Sequence, residues 1–382
     1  MKLFEDKSIE FQKQLSKQER STGGVFFTPK DIRDIIFEEL DRISDFEPKN
    51  ILEPTCGTGE FIDDCRRVYE NAHILGVEID PRSAELARDD SKNEIIVHDF
   101  ITWNTTEKFD LIIGNPPFFT RPSGFRHDPN VVKCRSNICI EVVHKCMTGH
   151  LAENGILAMV LPMSLLNSKF YTPTVDRITT TMDVMFVREI KKNNFMGTNV
   201  RVMVFIIRKC PPRVDNTYIF KTSLGKVIIN PDGERLGSIA SGNKTIGSFG
   251  VNISFGVMLA SVKEYFVDKS HPGSFPLICH NNIIKNEELR FVSDTYPKKR
   301  FDGRALIIPR GYGHGEYSFD FIDYKNDAFI IENHVIALTG EDTILDIIAR
   351  SFADPRTGEF CKLLCTSGDI SKEYVKEIPV FE

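Results

Sequence analysis

The stretch ILEPTCGTGEF, residues 51–61, decides the fold of this chain. An apolar run that reads as a buried strand ends here, Gly57 and Gly59 follow it, and a helical pattern then begins. Glycine permits positive φ and the close approach of a ligand to the backbone. A glycine turn between the first strand and its helix is the usual nucleotide-binding corner of a doubly wound sheet, so the stretch predicts that corner.

Apolar runs of strand length recur on both sides of the corner, and most are separated by stretches of helical length. They lie at residues 50–52, 74–77, 95–97, 111–113, 156–161, 184–190 and 200–207, after a helical pattern over 31–40. This alternation predicts an α/β fold with a mostly parallel sheet covered by helices on both faces. The last two runs have no helix between them, so we expect the last strand to be antiparallel.

A second domain is predicted from the change of pattern after Arg208. The prolines of KCPPRVDN, residues 209–216, stop any strand, and we place a domain boundary near residue 210. Residues 211–382 carry short β-like runs, many turn residues and helical patterns around 262–267 and 343–352, which indicates a smaller α+β domain. The length of 382 residues also favours about two domains.

The composition narrows the class of protein. Hydrophobic residues make up 41% and charged residues 27% of the chain, as in ordinary soluble globular proteins. The N-terminus is charged and the longest apolar run, residues 155–166, is too short to span a bilayer, so we expect a cytoplasmic protein without a membrane segment. The nine cysteines lack zinc-ligand spacing, which favours reduced thiols and no metal site. A net charge of −6 argues against a wholly basic surface but leaves a local basic groove open.

Acidic residues at two successive strand ends indicate the kind of ligand. Glu78 in GVEID lies about 20 positions after the glycine turn, where a carboxylate suits a ribose, and Asp99 in IVHDF suits an adenine amino group. Ile62 stands where a dinucleotide site needs a third small residue, and no P-loop lysine follows. A nucleoside ligand with a carboxylate rather than a pyrophosphate fits better, although a glycine turn with surface acids is the plain alternative.

The fourth strand ends in IIGNPPFF, residues 112–119, and should lie beside the glycine loop. The Asn115 side chain and the Pro116 carbonyl offer two acceptors for an exocyclic NH₂ group. Those bonds would draw the nitrogen lone pair out of conjugation and aim it at an electrophile without a general base. Phe118 offers a face on which the ring that carries the amine can stack.

These motifs in this order, with FFTP at 26–29 and Asn-Phe-Met-Gly-Thr at 194–198, resemble the γ-class N6-adenine DNA methyltransferases of restriction–modification systems. The resemblance covers about residues 20–210. It implies a Rossmann-like methyltransferase fold, S-adenosyl-L-methionine as cofactor, and a flipped adenine as the methyl acceptor. It also implies the cofactor-binding residues Thr28, Pro29, Glu53, Cys56, Gly57, Gly59, Glu78, Asp99 and Phe100.

The resemblance further implies the catalytic residues Asn115, Pro116, Pro117, Phe118 and Phe195. The family more often has tyrosine at position 118, and Met196 stands where proline is common, so Phe195 could also be an ordinary core or loop residue. Thr28 and Pro29 equally suit a helix N-terminus.

The second domain is expected to recognise DNA. Basic residues lie among aromatics and glycines in YPKKRFDGRALIIPRGYGHG, residues 296–315: Lys298, Lys299, Arg300, Arg304 and Arg310. Such side chains contact phosphates and guanine edges, although a solvated charged loop is the alternative. The tail SGDISKEYVKEIPVF, residues 367–381, resembles the end of DNA target-recognition domains.

We therefore predict a monomeric, site-specific DNA adenine-N6 methyltransferase that acts on double-stranded DNA, with a cognate restriction endonuclease as a further partner. The setting is a bacterial cytoplasm or the host cell of a DNA virus. RNA adenine or protein glutamine as the acceptor, and a catalytically silent DNA-binding relative, are the alternatives.

Overall fold

The computed structural model describes residues 4–16, 27–44, 46–88, 93–120, 128–132, 137–167, 171–190, 201–298, 300–312, 316–366 and 368–382. The chain divides into two compact units. The first comprises Met1–Ile219 and Ile229–Pro231, and the second comprises Phe220–Ile228 and Asp232–Glu382.

The first unit is built around a seven-stranded sheet. Its strands are β1 Asn50–Glu53, β2 His73–Glu78, β3 Glu94–Val97, β4 Phe109–Gly114, β5 Leu151–Pro162, β6 Asp183–Ile190 and β7 Val202–Arg208. The helices are α1 Asp6–Gln14, α2 Lys30–Asp41, α3 Glu60–Val68, α4 Pro81–Ala87, α5 Ile138–Lys145, α6 Ser164–Asn167 and α7 Thr172–Thr181, with a π-helical turn at Cys146–His150.

The strand order is β3-β2-β1-β4-β5-β7-β6, in which β7 runs antiparallel to both of its neighbours. The predicted mostly parallel sheet with an antiparallel last strand is confirmed. Neighbouring residues of one strand enter opposite cores, since Ile51 packs in one hydrophobic cluster and Leu52 in the other. Because both faces are covered, the strands are apolar without alternation, which is why they appear as continuous apolar runs.

The second unit contains another seven-stranded sheet, ordered β11-β17-β15-β16-β13-β14-β12. Its strands are β11 Asn252–Phe255, β12 Phe266–Val267, β13 Phe275–Ile278, β14 Arg290–Val292, β15 Phe301–Pro309, β16 Ile322–Ile331 and β17 Val335–Thr339. Short pairs are formed by β8 Ile219–Lys221 with β9 Val227–Ile229, and by β10 Lys244–Thr245 with β18 Pro379–Val380. The helices are α8 Gly233–Ala240, α9 His280–Ile284, α10 Asp342–Phe352, α11 Pro355–Leu364 and α12 Lys372–Lys376.

One predicted helix of this unit is wrong and another is confirmed. The stretch 262–267 forms a 3₁₀ turn at Lys263–Tyr265 and then enters β12, which pairs with β14. The Ser293 N–H donates to the Tyr265 carbonyl at 2.9 Å, so strand pairing overrides the local helical pattern. The predicted helix at 343–352 is present as α10.

Residues 211–219 lie in the first unit, beyond the predicted boundary at residue 210. Asp183 of β6 holds them, because its carboxylate accepts from the Arg213 backbone N–H at 3.1 Å and from the Asn216 amide at 2.9 Å. Strand β7 ends at Arg208, before the two prolines, and the Asp183 contacts keep the following residues attached to the first unit. Among the described residues, no helix has the length and apolarity needed to cross a membrane.

Candidate active site

The loop between β1 and α3 forms the glycine corner. Gly57 has φ +53° and Gly59 has φ +85°, both in the left-handed region that favours glycine. A Cβ on Gly59 would lie 3.0 Å from the Ala87 Cβ of α4, so this glycine permits close packing. A Cβ on Gly57 would meet nothing within 4 Å, which leaves its backbone open to a ligand.

Glu78 at the end of β2 closes this loop. One carboxylate oxygen accepts from the Gly57 N–H at 2.8 Å and the other accepts from the Asp80 N–H at 2.8 Å. Burial raises the pKa of Glu78, and the two N–H donors oppose that rise. Each oxygen keeps lone-pair capacity for a further hydrogen bond, as a ribose hydroxyl pair requires.

The loop after β3 carries Asp99 and is fixed by a lysine that sequence reasoning missed. The Ile101 N–H donates to Asp99 Oδ1 at 2.9 Å. Lys145 Nζ, at the end of α5, donates to the Phe100 carbonyl at 2.8 Å, to the Ile101 carbonyl at 2.9 Å, and to the Trp103 carbonyl. One ammonium thus orients the backbone that presents Asp99 and Phe100.

The Asn-Pro-Pro loop lies beside the glycine corner because β4 pairs with β1. A Cβ on Gly114, the last residue of β4, would lie 3.3 Å from Glu53 Cγ, so the two strand ends touch. Asn115 and Pro117 face the same cavity as the glycine corner. Phe118 packs against the cores on both faces of the sheet, while Phe119 lines the cavity.

This cavity has a volume of about 340 Å³, within the range of small-molecule sites. It is lined by nine of the predicted site residues: Thr28, Glu53, Cys56, Gly57, Glu78, Asp99, Phe100, Asn115 and Pro117. Pro29, Pro116 and Phe118 adjoin these in sequence and Gly59 lies two positions after Gly57, but none of the four lines the cavity. Phe195 lies outside the described residues. No cluster of metal-ligating side chains occurs in the described parts of the chain.

The cavity wall is acidic and suits a cationic ligand. Glu53, Glu60, Glu78, Asp80 and Asp99 all contribute to it. Glu53 is buried, and its Oε2 has no hydrogen-bond partner among the described residues. Burial, reinforced by Glu60, raises the pKa of Glu53 well above its usual range. The ammonium and sulfonium of S-adenosylmethionine fit this wall, and the ammonium matches the orphaned Glu53 oxygen.

Arg33 of α2 is a second residue that sequence reasoning missed. It is fully buried, and its Nη1 donates to the Thr28 carbonyl at 2.6 Å. Its Nε donates to Asp64 Oδ2 at 2.6 Å, and its Nη1 lies 3.3 Å from Glu60 Oε2 on α3. Arg33 therefore ties the Thr28 segment to the helix that follows the glycine loop. One feature of the sequence could have indicated this role: a basic residue stands directly after Ile32, within the apolar face of a predicted helix.

Helix α1 also borders the site, although its sequence suggested no role. Ser8 Oγ lies 2.7 Å from Thr58 Oγ1 in the glycine loop, and Lys7 Nζ donates to Asp63 Oδ2 at 2.6 Å. The buried Phe11 ring lines the cavity. These contacts arise because the helix packs against the glycine loop in the folded chain. The sequence of a polar nine-residue helix does not predict where that helix will pack.

Four of the five basic residues predicted to bind DNA are described by the structure, and each contacts other groups of the second unit. Arg304 is paired with Asp323 at 2.6 Å and with Asp346 at 2.8 Å. The Arg300 guanidinium lies 4.3 Å from the Phe275 ring centroid and donates to the Asp294 carbonyl. The Arg310 guanidinium lies over the Phe255 ring at 5.0 Å and Lys298 Nζ lies 3.4 Å from Ser261 Oγ, while Lys299 lies outside the described residues.

The fold and the site together define a class of protein. A Rossmann-like sheet presents a glycine corner, strand-end acids and an Asn-Pro-Pro loop to one acidic cavity. These are the features of S-adenosylmethionine-dependent methyltransferases.

Comparison with known proteins identifies the family. The sequence model of the N-6 DNA methylases matches residues 10–225. The Type II methyltransferase M.CvrRI of Paramecium bursaria Chlorella virus XZ-6E is 79% identical over 381 residues, 100% of both chains. The modification methylase CviBIII of Paramecium bursaria Chlorella virus NC1A is 34% identical over 386 residues, 98% of each chain. This chain belongs to the N-6 DNA methylase family and is an S-adenosylmethionine-dependent DNA adenine-N6 methyltransferase.

A solved structure shares the fold over nearly the whole chain. The type IIL restriction–modification enzyme MmeI, solved in complex with DNA, matches with a TM-score of 0.54 and 12% identity. The match covers 99% of this chain and 66% of that one, so it extends through the second unit.

Proposed function

We propose that this enzyme methylates N6 of a flipped adenine by direct transfer, with Asn115 and Pro116 as the groups that hold the amine. The observation that carries the proposal is the position of Asn115 on the cavity that Glu53, Glu78 and Asp99 also line. The Asn115 side chain and the cofactor acids thus border one space, and Pro116 directly follows Asn115 in the chain.

The roles of the residues follow from their chemistry. Asn115 Oδ1 and the Pro116 carbonyl accept the two amine hydrogens, which draws the N6 lone pair out of the ring and directs it into the cavity. An amide does not titrate, so this step requires no general base. The proton that the methylated nitrogen loses passes to solvent. Bound S-adenosylmethionine would supply an electrophilic methyl group, whose bond to sulfur would break as its bond to N6 forms, with S-adenosylhomocysteine as the leaving product.

Each of the three cofactor acids would bind a different group of S-adenosylmethionine. Glu53 would hold the ammonium, Glu78 the ribose hydroxyls and Asp99 the adenine amino group, and the open Gly57 backbone would face the bound cofactor. Carboxylates are acceptors, and each of these three ligand groups offers hydrogens.

The target adenine leaves the duplex at a cost of a few kcal/mol. Stacking on an aromatic ring offsets this by about 1–3 kcal/mol per base. We assign that role to Phe118 and Phe195, as the family resemblance implies. Phe119 is an additional aromatic at the cavity wall.

The biological setting is inferred from the full-length relatives. One is a Type II methyltransferase and the other a modification methylase, both of chlorella viruses. We therefore propose a monomeric, site-specific modification enzyme that works beside a cognate endonuclease in the host cell of a DNA virus. The second unit would supply target recognition.

The test is an Asn115→Ala variant assayed with tritiated S-adenosylmethionine and unmethylated duplex DNA. We expect transfer to fall by about 10²–10³-fold or more, the scale for losing a transition-state hydrogen-bonding group. Binding of S-adenosylhomocysteine should be nearly unchanged, because the cofactor acids are intact. Asn104→Ala, at an exposed asparagine of the same unit, is the matched control. Undiminished transfer by Asn115→Ala would remove the mechanism, and transfer to RNA or protein in preference to DNA would change the acceptor.

A further inference from the structure

The second unit carries a patch of exposed apolar side chains. Phe255, Met258 and Tyr312 are 43%, 67% and 47% exposed, respectively. Met258 and Tyr312 line one cavity of about 390 Å³, and Phe255 lies under the guanidinium of Arg310, two residues before Tyr312. Clustered apolar exposure of this kind marks binding surfaces, whereas single exposed residues need no explanation. We call these three side chains the Tyr312 patch.

Tyr312 is displayed by a turn that leaves its backbone little freedom. Gly311 has φ +89°, and a Cβ there would lie 2.2 Å from the Gly368 carbonyl oxygen. The neighbouring Arg310 N–H donates to the His334 carbonyl at 2.7 Å, and the Arg310 carbonyl accepts from the Ile370 N–H at 2.8 Å. The fold therefore fixes the chain at the point where the exposed ring emerges.

The ring packs against two histidine rings. Its centroid lies 4.6 Å from that of His280 and 4.3 Å from that of His334. Contacts at these distances hold the ring against the protein, while the residue stays 47% exposed. A held, half-exposed aromatic ring offers its exposed surface for stacking on a ligand.

The polar groups around the patch match base edges better than phosphates alone. Arg310 contributes a cation, and the adjoining cavity carries Arg290 together with the carboxylates of Glu287, Glu288 and Glu332. Guanidinium groups read guanine, and carboxylates accept from the amino group of cytosine. Arg304 is held by two carboxylates at 2.6 and 2.8 Å, whereas the carboxylate beside Arg310, that of Asp369, lies 3.9 Å away.

We infer that the Tyr312 patch is a base-contacting surface of the second unit and that its ligand is duplex DNA. The inference rests on the proposed recognition role of this unit. Aromatic and apolar side chains stack on or wedge between base steps, while the flanking charges contact base edges. The Tyr312 patch, rather than Arg304 on strand β15, then determines which DNA sequence is methylated.

The test uses the full-length protein, tritiated S-adenosylmethionine and unmethylated bacteriophage DNA. Tyr312→Ala and Met258→Ala are compared with Leu224→Ala, a control at a residue that is 50% exposed elsewhere in the same unit. We expect Tyr312→Ala to raise KM for DNA about tenfold, on the scale of one lost stacking contact. Met258→Ala should raise it by a smaller factor, because it removes apolar contact area and no ring. Affinity for S-adenosylhomocysteine should stay within about twofold, as for other surface substitutions. Tyr312→Phe, which keeps the ring, should behave as wild type.

Sequencing the methylated sites gives a second readout, because a base-contacting surface also sets fidelity. We expect the patch variants to methylate sequences that the wild type leaves unmodified. Unaltered KM and fidelity in both patch variants would overturn the inference, and a surface for a protein partner would give that result. Failure of the proposed mechanism is distinguishable, because Asn115→Ala would then keep full transfer whatever the patch variants do.

Discussion

The two units differ in how well their chemistry follows from their local sequence. In the first unit, residues 53, 57, 78, 99 and 115 are dispersed along the chain and line one cavity. In the second, basic residues close together in sequence are engaged in separate contacts, since Arg304 pairs with Asp323 and Arg300 lies on Phe275.

The difference follows from what fixes each position. The ends of neighbouring parallel strands meet at one edge of a sheet, so a residue directly after a strand has a predictable place. A cluster of charges has no such constraint, because each side chain takes whichever partner the fold provides. Strand-end motifs are therefore the stronger evidence for a site.

The largest expected effect is the loss of stability when the buried Arg33 of the first unit is replaced. Arg33→Met should lower the free energy of unfolding by about 3–5 kcal/mol, because it leaves the buried carboxylate of Asp64 without its closest buried cation. Urea denaturation monitored by circular dichroism measures the loss. Arg67→Met, which removes an exposed partner of the same Asp64, should cost less than about 1 kcal/mol. Equal losses would show that burial of Arg33 is immaterial.

The next effect is a pH dependence that arises from Glu53. Burial raises the pKa of Glu53, and a ligand ammonium prefers the ionised carboxylate. Binding of S-adenosylhomocysteine should therefore weaken as pH falls through the raised pKa, by up to about tenfold per pH unit. Calorimetry over a series of pH values on both sides of the transition measures this slope.

The matched variant for that experiment is Glu53→Gln, which cannot titrate. Its binding should be weak at neutral pH and nearly independent of pH over the same interval. The stability of the ligand-free protein should change with pH in the opposite direction to ligand binding. A raised pKa of Glu53 contributes stability that is fully present below the unfolded-state pKa and is lost as pH rises through the folded-state pKa. A wild-type binding profile as flat as that of Glu53→Gln would contradict the assignment.

A smaller effect is expected at the support of the adenine pocket. Lys145→Met removes the ammonium from three carbonyls and should weaken S-adenosylhomocysteine about tenfold, the scale of one charged hydrogen bond. The maximal rate at saturating cofactor should change little, because Lys145 only orients Asp99. Lys145→Arg should restore part of the affinity. Lys108→Met, at a lysine that donates to the Gly149 carbonyl, is the control, and an equal effect there would refute the role of Lys145.

The smallest effect is expected in the second unit. Arg304→Ala should leave KM for DNA within about twofold of wild type, since its pairs with Asp323 and Asp346 already satisfy the guanidinium. It should cost less than about 1 kcal/mol of stability per lost pair. A large rise in KM for DNA would restore Arg304 as a DNA contact and weaken the contrast between the units.

Much of the first unit was predictable from the sequence. Continuous apolar runs predicted a sheet buried on both faces, and the glycine turn, Glu78, Asp99 and the Asn115 loop predicted the cavity and its cofactor. These signals are local, because each motif adjoins a strand whose neighbours are set by the topology. The resemblance to adenine methyltransferases depended on the same motifs, and the family match confirms it.

The supports of the site were not predictable from the same motifs. Arg33 and Lys145 act through partners 31 and about 45 positions away, on elements whose packing no local pattern specifies. The missed helices α8 and α11 contain glycines within their spans, which weakens a helical pattern. The structure of residues 262–267 was not predictable for a similar reason. Its last two residues form a strand by pairing with β14, which lies more than 20 residues further along the chain.

The sequence by itself determined the chemistry of this protein, since an amide, two strand-end acids and a glycine turn retain their function wherever the sheet brings them together. Only the tertiary structure decided which charges remain available for a ligand. That outcome depends on long-range neighbours: Glu53 keeps an oxygen without a hydrogen-bond partner in the described residues, whereas Asp323 and Asp346 occupy Arg304.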